Sequence, residues 1–481
     1  MPPNILWICT DQQRYDTIGA GGTPHVRTPR LDRLWREGTA WTHAFCQSPI
    51  CTPSRASFLT GTYPSTCQNT RNGNARYRGR YPLVTRLLAG AGYDCGLVGK
   101  LHLAGAYERP EPRGDDGYRY WRWSHAPRDG WPSGHAYADW VRTRGHDLGE
   151  LIKDPAGVPA ELHQTTWCAA ETIRFMRERR GADTPWLATV NIYDPHEPFN
   201  PPAAYRARFD PQKMPGPLFR PSDLEQQRRL RAVDFQGEAR DPAGPLDIAH
   251  PVLPYYPGRD SEEEASEAAF ARDAKTLQAA YYAMIELIDD QVGRMLDALE
   301  ESGQAQDTLV IFTSDHGETL GDHGLIRKGC RFYEGLVRVP LILRWPGRIE
   351  SGSVTDELVE LTDLAPTLLA AAGQPVPPWM QGRSLPDGGA GREAVRSEYF
   401  DAIDGPDGSY ATMYRTRTHK LVVYHGHGLG ELYDLEADPG EFDNLWDEPA
   451  AVGIKSDLLV RSFDASMRAA VDMGEERIGP M

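Results

Sequence analysis

The sequence predicts a three-layer α/β domain followed by a smaller unit of antiparallel sheet plus helix, and three observations predict it. Three short apolar runs each end in a cluster of ligand-type side chains, helical patterns lie between them, and a Gly/Pro-rich stretch separates this alternation from a run of short β-prone pieces. At 481 residues the chain exceeds what one core usually organises, which also favours a large domain carrying a small one.

Residues 4–10 form the first apolar run, a buried strand whose end delivers Asp11-Gln12-Gln13-Arg14. A helix is expected over 28–37 and another over 83–91. The strand at 93–98 leads into Gly99-Lys100-Leu101-His102, where alternation sends Lys100 and His102 to one side. A helix over 164–179 precedes the second run, 186–192, which ends in Tyr193-Asp194-Pro195-His196. Residues 200–260, rich in Pro, Arg, Asp and Gly, lack periodicity and read as an excursion over the active-site mouth, where substrate would be selected. A long helix over 262–300 follows, with Met284, Ile288, Val292, Met295 and Leu299 on one face. The third run, 308–313, ends in Ser314-Asp315-His316-Gly317, and 339–345 is a further buried strand. We expect a helix over 355–372, a linker over 373–389, strands at 411–416 and 420–424, and a helical tail over 450–473. There is no internal repeat. The division falls at 1–375 and 376–481.

Composition narrows the function. Apolar residues make up 40% and charged residues 25%, and no stretch reaches the roughly 18 consecutive apolar residues of a membrane helix. A formal net charge of −16 disfavours nucleic acid and anionic membranes as partners. A chain this acidic that acts on an anion must concentrate its cations at one site. The start of the chain shows no export signal, and seven irregularly spaced Cys suit a reducing compartment, so a cytoplasmic location is expected.

The strongest local signal is Cys51-Thr52-Pro53-Ser54-Arg55 followed by Ala56-Ser57-Phe58-Leu59-Thr60-Gly61. A Cys at a helix start meets backbone N–H groups and the positive end of the dipole, and Arg55 adds a cation one turn on. Taken alone, such a Cys is more often a structural core residue. Asp11 and Gln12 with Asp315 and His316 offer oxygen and nitrogen donors suited to one divalent cation; each pair alone could equally be a cap and a turn.

The Cys51–Gly61 run resembles the signature of the type I sulfatases, and likeness continues over almost the whole chain outside 200–260 and the linker. The resemblance implies an alkaline-phosphatase-like domain with a mostly parallel central sheet. It implies that Cys51 is oxidised to formylglycine by a formylglycine-generating enzyme, and that one hydroxyl of the hydrated aldehyde attacks sulfur while the other later expels sulfate. Asp11, Gln12, Asp315 and His316, with Cys51, then hold one metal ion, calcium first and manganese or magnesium as alternatives. The commoner family pattern is Asp-Asp with Asp-Asn, so Gln12 and His316 are departures. Lys100 and Arg55 are implied to hold sulfuryl oxygens with Lys328, His102 to act as base in the elimination, and His196 with Lys328 to flank the leaving oxygen. Asn72 and His323 are carried as substrate contacts, with loop stabilisation the equal reading for His323 and turn chemistry the bland one for Asn72.

The implied activity is hydrolysis of an aryl or carbohydrate sulfate monoester. The related phosphonate monoester and phosphodiester hydrolases share the Gln12/His316 pattern but tend to lack the Lys100/His102 pair, which makes them the rival reading. A non-catalytic sulfate-binding protein is the third, opposed by the presence of every nucleophile, ligand and cation. A homo-oligomer is plausible, with the C-terminal tail as contact.

Overall fold

A computed structural model describes residues 2–470 apart from 107–108, 127–133, 155, 235–238, 247–272, 386–390 and 404–405. Eight strands form the main sheet: β1 Asn4–Thr10, β2 Thr39–Phe45, β3 Asp94–Gly99, β4 Tyr120–Trp123, β5 Trp186–Ile192, β6 Thr308–Ser314, β7 Arg338–Arg344 and β8 Ser353–Glu360. Their spatial order is β4-β3-β5-β1-β6-β7-β2-β8. Neighbours run parallel except that β7 lies antiparallel to both β6 and β2.

Period-two alternation in β1 explains the layering. Ile5, Trp7 and Cys9 enter one apolar cluster, while Leu6 and Ile8 enter another on the opposite face. Each such aliphatic side chain, fully buried, stabilises by about 1.5–3 kcal/mol. Two amphipathic helices, Gln164–Glu178 and Ala274–Glu301, cover the second face. The expected face of Met284, Ile288, Val292, Met295 and Leu299 is buried there. The long helix is described from Ala274, where Asp273 caps it by accepting from Thr276 N, and its expected portion over 262–272 lies outside the described residues. Helices α1 (Pro29–Glu37), Val84–Gly90 and α2 (Cys51–Thr60) complete the layers.

The helix expected over 355–372 is half strand. Residues up to Glu360 form β8, paired parallel with β2, and the helix begins only at Leu364. Glu360 and Asp363 form a reciprocal capping box that ends the extended segment, and partner strand β2 outweighs the local helical pattern.

A second sheet of four antiparallel strands, order β12-β11-β10-β9, holds β9 Ala394–Phe400, β10 Tyr410–Thr416, β11 His419–Tyr424 and β12 Leu429–Asp434. Val395, Tyr399, Met413 and Val422 of this sheet belong to the same apolar cluster as Trp7 and Leu341. Residues 380–385 are also docked: Gln381 N donates to Gly61 O at 2.7 Å, Arg383 N to Asp363 and Leu385 N to Thr367. The tail is helical over Val452–Ala470, and residues 471–473 of the expected helix lie outside the described residues. Among the described residues no helix is long and apolar enough to cross a membrane. All seven cysteines are free and buried.

Candidate active site

Four parallel strands stop at one edge. The register pairs Thr10 with Ile192 and with Ser314, and Gly99 with Asn191, so the residues that follow each strand emerge together. Backbone bonds tie these exits: Asp315 N donates to Thr10 O at 3.2 Å, Asp11 N to Asp194 O at 3.3 Å, and Lys100 N to Asn191 O at 3.0 Å. Gly99 has φ 101°, and a Cβ there would stand 1.9 Å from Asn191 O. Only glycine allows the close approach that presents Lys100.

Helix α2 brings Cys51 to this edge. Its N-cap, Ile50, has no side chain to cap with, and Asn72 substitutes by accepting from Thr52 N at 3.0 Å. Ser54 Oγ donates to Asp315 O at 2.5 Å, pinning the helix to the end of β6. Cys51 is 0% exposed. Its Sγ lies 3.1 Å from His316 Nε2, 3.6 Å from Asp11 Oδ1 and 2.9 Å from Lys328 Nζ.

One ligand atom from each of Asp11, Cys51, Asp315 and His316 falls within 4.8 Å of all the others. The donor set fits a divalent cation. His316 Nδ1 faces Gly317 O at 2.8 Å, which fixes that nitrogen as the N–H and leaves the Nε2 lone pair turned towards Cys51. Burial holds the His316 pKa down, with Lys328 adding to the effect, so the imidazole is neutral and able to ligate. Burial opposes the Asp11 charge, but Lys100, His196, Arg55 and Lys328 outweigh it and keep Asp11 well below the ordinary carboxylate range. Gln12, the fifth expected ligand, stands beside this cluster with its Oε1 2.9 Å from Lys328 Nζ.

Arg55 has a different place from the one expected. It is fully enclosed, with Nε on Asp315 Oδ2 at 2.8 Å, a terminal nitrogen on Asp11 Oδ2 at 3.2 Å and the other on Lys100 O at 2.9 Å. These carboxylates and the carbonyl take all three guanidinium nitrogens, so Arg55 holds the two carboxylates of the candidate metal cluster in place rather than sulfuryl oxygens.

Lys328 Nζ lies 2.9 Å from Cys51 Sγ and 3.0 Å from His196 Nε2. Burial works against its charge, yet Cys51, Asp11 and Glu197 raise its pKa. His196 Nδ1 faces Glu197 O at 2.9 Å and Glu197 Oε2 at 3.1 Å, which leaves Nε2 towards Lys328. Burial opposes ionisation of Glu197, but His196, Arg327 and Lys328 prevail and its pKa is lowered. Gln12, Leu320 and Arg327 around this corner all have positive φ, a concentration of strained backbone typical of functional sites.

One half-buried and one buried carboxylate orient Gln12: its Nε2 donates to Glu197 Oε2 at 3.0 Å and to Glu318 Oε2. Glu318 in turn accepts from Leu320 N and Arg327 N. Sequence reading gave neither acid a role, although both sit within two residues of a chosen histidine, His196 or His316, and that proximity was the available signal. Glu111 carried no signal at all. Its carboxylate accepts from His102 N at 2.7 Å, Leu103 N at 2.5 Å, Ala104 N at 2.9 Å and Trp123 Nε1 at 3.2 Å. It thereby fixes the loop of Lys100 and His102, the latter at φ 57°. Lys100 Nζ reaches Asp11 Oδ2 at 2.5 Å. Burial, with Lys100, His125 and Arg55 adding to it, holds the His102 pKa well below its usual value, so His102 is neutral.

His323 is not at this site. It is 1% exposed, stacks on Tyr333 at 3.8 Å and faces Asp223 Oδ1 at 3.3 Å. The substrate-contact expectation gives way to a structural one: His323 N also donates to Leu218 O, and these contacts anchor described parts of the 200–260 segment. Gln227 and Asp234 from that segment grip Arg331, so it buttresses the loop carrying Lys328.

A family model described as Sulfatase matches residues 3–374, and one described as N-sulphoglucosamine sulphohydrolase, C-terminal, matches residues 321–466. An arylsulfatase of Clostridium perfringens is 29% identical over 92% of this chain and 90% of its own length. A multifunctional alkaline phosphatase superfamily protein of Trinickia caryophylli is 29% identical over 96% and 94%. Among solved structures, the phosphonate monoester hydrolase of Agrobacterium radiobacter superposes with a TM-score of 0.78 at 25% identity, covering 97% of this chain and 96% of that one. On this breadth of match and on the fold and site beneath it, the chain belongs to the sulfatase family, the sulfuric ester hydrolases of the alkaline phosphatase superfamily.

Proposed function

We propose that the protein hydrolyses an aryl or carbohydrate sulfate monoester to an alcohol and inorganic sulfate, with a nucleophile made from Cys51. The observation that carries this is that Lys328 Nζ and His316 Nε2 stand 2.9 Å and 3.1 Å from Cys51 Sγ, with His196 Nε2 3.0 Å from Lys328 Nζ and Lys100 Nζ on the neighbouring Asp11 carboxylate.

A divalent ion held by Asp11, Gln12, Asp315 and His316, with calcium the first choice, supplies Lewis-acid polarisation, and formylglycine at position 51 supplies the two hydroxyls that attack and elimination require. The chain's own groups do the rest. Arg55 helps keep Asp11 ionised and orients both Asp11 and Asp315. Lys100 and Lys328 stabilise negative charge on the sulfuryl oxygens as it grows. His196, its Nδ1 proton held by Glu197 O, turns Nε2 to the leaving oxygen beside Lys328 and, when it carries a second proton on Nε2, shares with Lys328 the task of protonating that oxygen. His102, neutral and buried, is suited to accept a proton in the elimination.

The Gln12 and His316 donors favour a second reading, a phosphonate monoester or phosphodiester hydrolase with the same nucleophile. Peptide-mass analysis of position 51, followed by rates on matched aryl sulfate and aryl phosphonate esters with fully converted protein, separates the two. A sulfate preference supports the first reading, a phosphonate preference replaces it with the second, and inactivity on both removes each. Maturation by a formylglycine-generating enzyme and a cytoplasmic location are part of the same proposal. So is a homo-oligomer, for which Val460, Phe463 and Met467 expose apolar surface along the C-terminal helix.

A further inference from the structure

The loop that caps the nucleophile helix is strongly basic in an acidic protein. Residues 69–82 hold Arg71, Arg76, Arg78 and Arg80 and no Asp or Glu, whereas the whole chain carries a net charge of −16. All four arginines are exposed. Arg109, also exposed to solvent at its guanidinium, donates to Ala75 O at 2.9 Å and adds a fifth cation to the same loop. Arg76 and Arg78 have no acidic partner among the described residues.

This loop is anchored at the reaction centre on both sides. Asn72 accepts from Thr52 N, next to Cys51. Asn69 Nδ2 donates to Leu103 O at 3.0 Å, and Asn74 O accepts from Gly105 N at 2.6 Å, so the loop is bound to the segment that carries Lys100 and His102. Asn69 Oδ1 also accepts from Arg78 N at 3.2 Å, which holds the arginine-bearing portion in register. Four residues of chain put the Arg76 Cα within about 14 Å of the Asn72 Cα. At physiological ionic strength fields fall off over about 8 Å. The arginines therefore act on anionic groups that lie against the loop itself, beyond the group held at Cys51. At the end of the loop, Tyr81 stacks on Trp379 at 5.5 Å with the Arg80 guanidinium 5.4 Å above Tyr81, a half-exposed ring pair of the kind on which the apolar face of a sugar packs.

We propose that residues 69–82 form a docking site for additional anionic groups of the substrate, and that the ester cleaved belongs to a polysulfated oligosaccharide. The proposal rests on the sulfatase reading but is tested apart from it. Binding of persulfated maltotetraose and of unsulfated maltotetraose is measured by calorimetry on the Cys51→Ala protein, which cannot turn over, with and without Arg76→Ala/Arg78→Ala. The persulfated sugar is expected to bind with affinity that drops on adding salt, and the double substitution to weaken it roughly two- to thirtyfold, the sum of two exposed charge pairs. Equal binding with and without the two arginines, or no preference for the persulfated sugar, overturns the docking site. In converted enzyme, the ratio of kcat/KM for the persulfated tetrasaccharide to that for 4-nitrophenyl sulfate should fall by the same factor in the double variant. A ratio that does not move also overturns it. Failure to hydrolyse either ester counts against the sulfatase reading alone, because the calorimetry still decides the loop.

Discussion

Replacing Glu111 by Gln tests how the site is held. The carboxylate accepts four N–H groups, two at each oxygen: Leu103 and Ala104 at Oε1, His102 and Trp123 at Oε2. An amide retains one acceptor, so two buried donors face an NH2 group instead. At about 1–3 kcal/mol for each orphaned buried group, the cost is about 2–6 kcal/mol. It falls on a segment whose His102 already occupies the left-handed region at φ 57°, a conformation that persists only while its surroundings impose it. Glu111 thus acts as a positioning residue, and release of the loop displaces the imidazole proposed as base. A displaced base forfeits about a hundredfold or more in rate. On fully converted enzyme with an aryl sulfate, kcat should fall by about that factor while KM moves less than about threefold, since the donor cluster, Arg55 and Lys328 are untouched. The alkaline and acid limbs of the kcat profile should shift as well. Values of kcat and KM both within about twofold of wild type, with the same pH profile, would refute the reasoning; a lowered Tm alone would leave Glu111 a stabilising residue only.

Other perturbations follow from the same contacts. Arg55→Ala leaves Asp315 a buried carboxylate without its cation and Asp11 with Lys100 alone, a loss of about 3–5 kcal/mol in chelated protein. Adding a divalent ion should raise its Tm more than that of wild type, and an equal rise would contradict the role given to Arg55. Asp289, raised by burial to about 7, binds a proton in the folded state that the unfolded state has lost. Its contribution is full below the ordinary value near 3.8 and disappears as pH rises towards 7, at most about 4 kcal/mol. Asp289→Asn, which keeps an oxygen for Arg30 N and Leu31 N, should therefore flatten the fall in thermal stability between pH 5 and pH 8; an unchanged slope speaks against it. Gly99→Ala should abolish soluble yield or activity because its Cβ meets Asn191 O, whereas Gly90→Ala, whose Cβ has only Arg86 at 3.5 Å, should be tolerated. Comparable yields and activities for the two would be the contrary result.

What was legible in the sequence was what strand ends and one helix start encode locally. Apolar runs ending at Thr10, Ile192 and Thr313 pointed to Asp11, His196, Asp315 and His316, and the Cys51 motif opened a helix as its residues suggest. What could not be read depends on contacts far apart in the chain. The pairing of β8 with β2 joins residues more than three hundred positions apart and turned an apparent helix into a strand. Arg55 was assigned to substrate because its two carboxylates, one 44 and one 260 positions away, had no visible relation to it. Glu111 lies between two prolines with nothing around it to suggest that its carboxylate is buried under four N–H groups. His323 looked like a rim residue by its nearness in sequence to Lys328, and only folding shows that the turn carries it away to Tyr333.

The burial of Cys51 also sets a clock. Any enzyme that oxidises this side chain must reach it before His316 closes over it, and His316 lies 265 positions later in the chain. At about 5–20 residues per second of synthesis, that leaves roughly 13 to 53 s between the two. Production conditions that lengthen translation would raise the fraction of modified molecules without any change in the amount of modifying enzyme, and refolding a finished chain without that enzyme would yield a well-packed protein with an unmodified cysteine sealed inside.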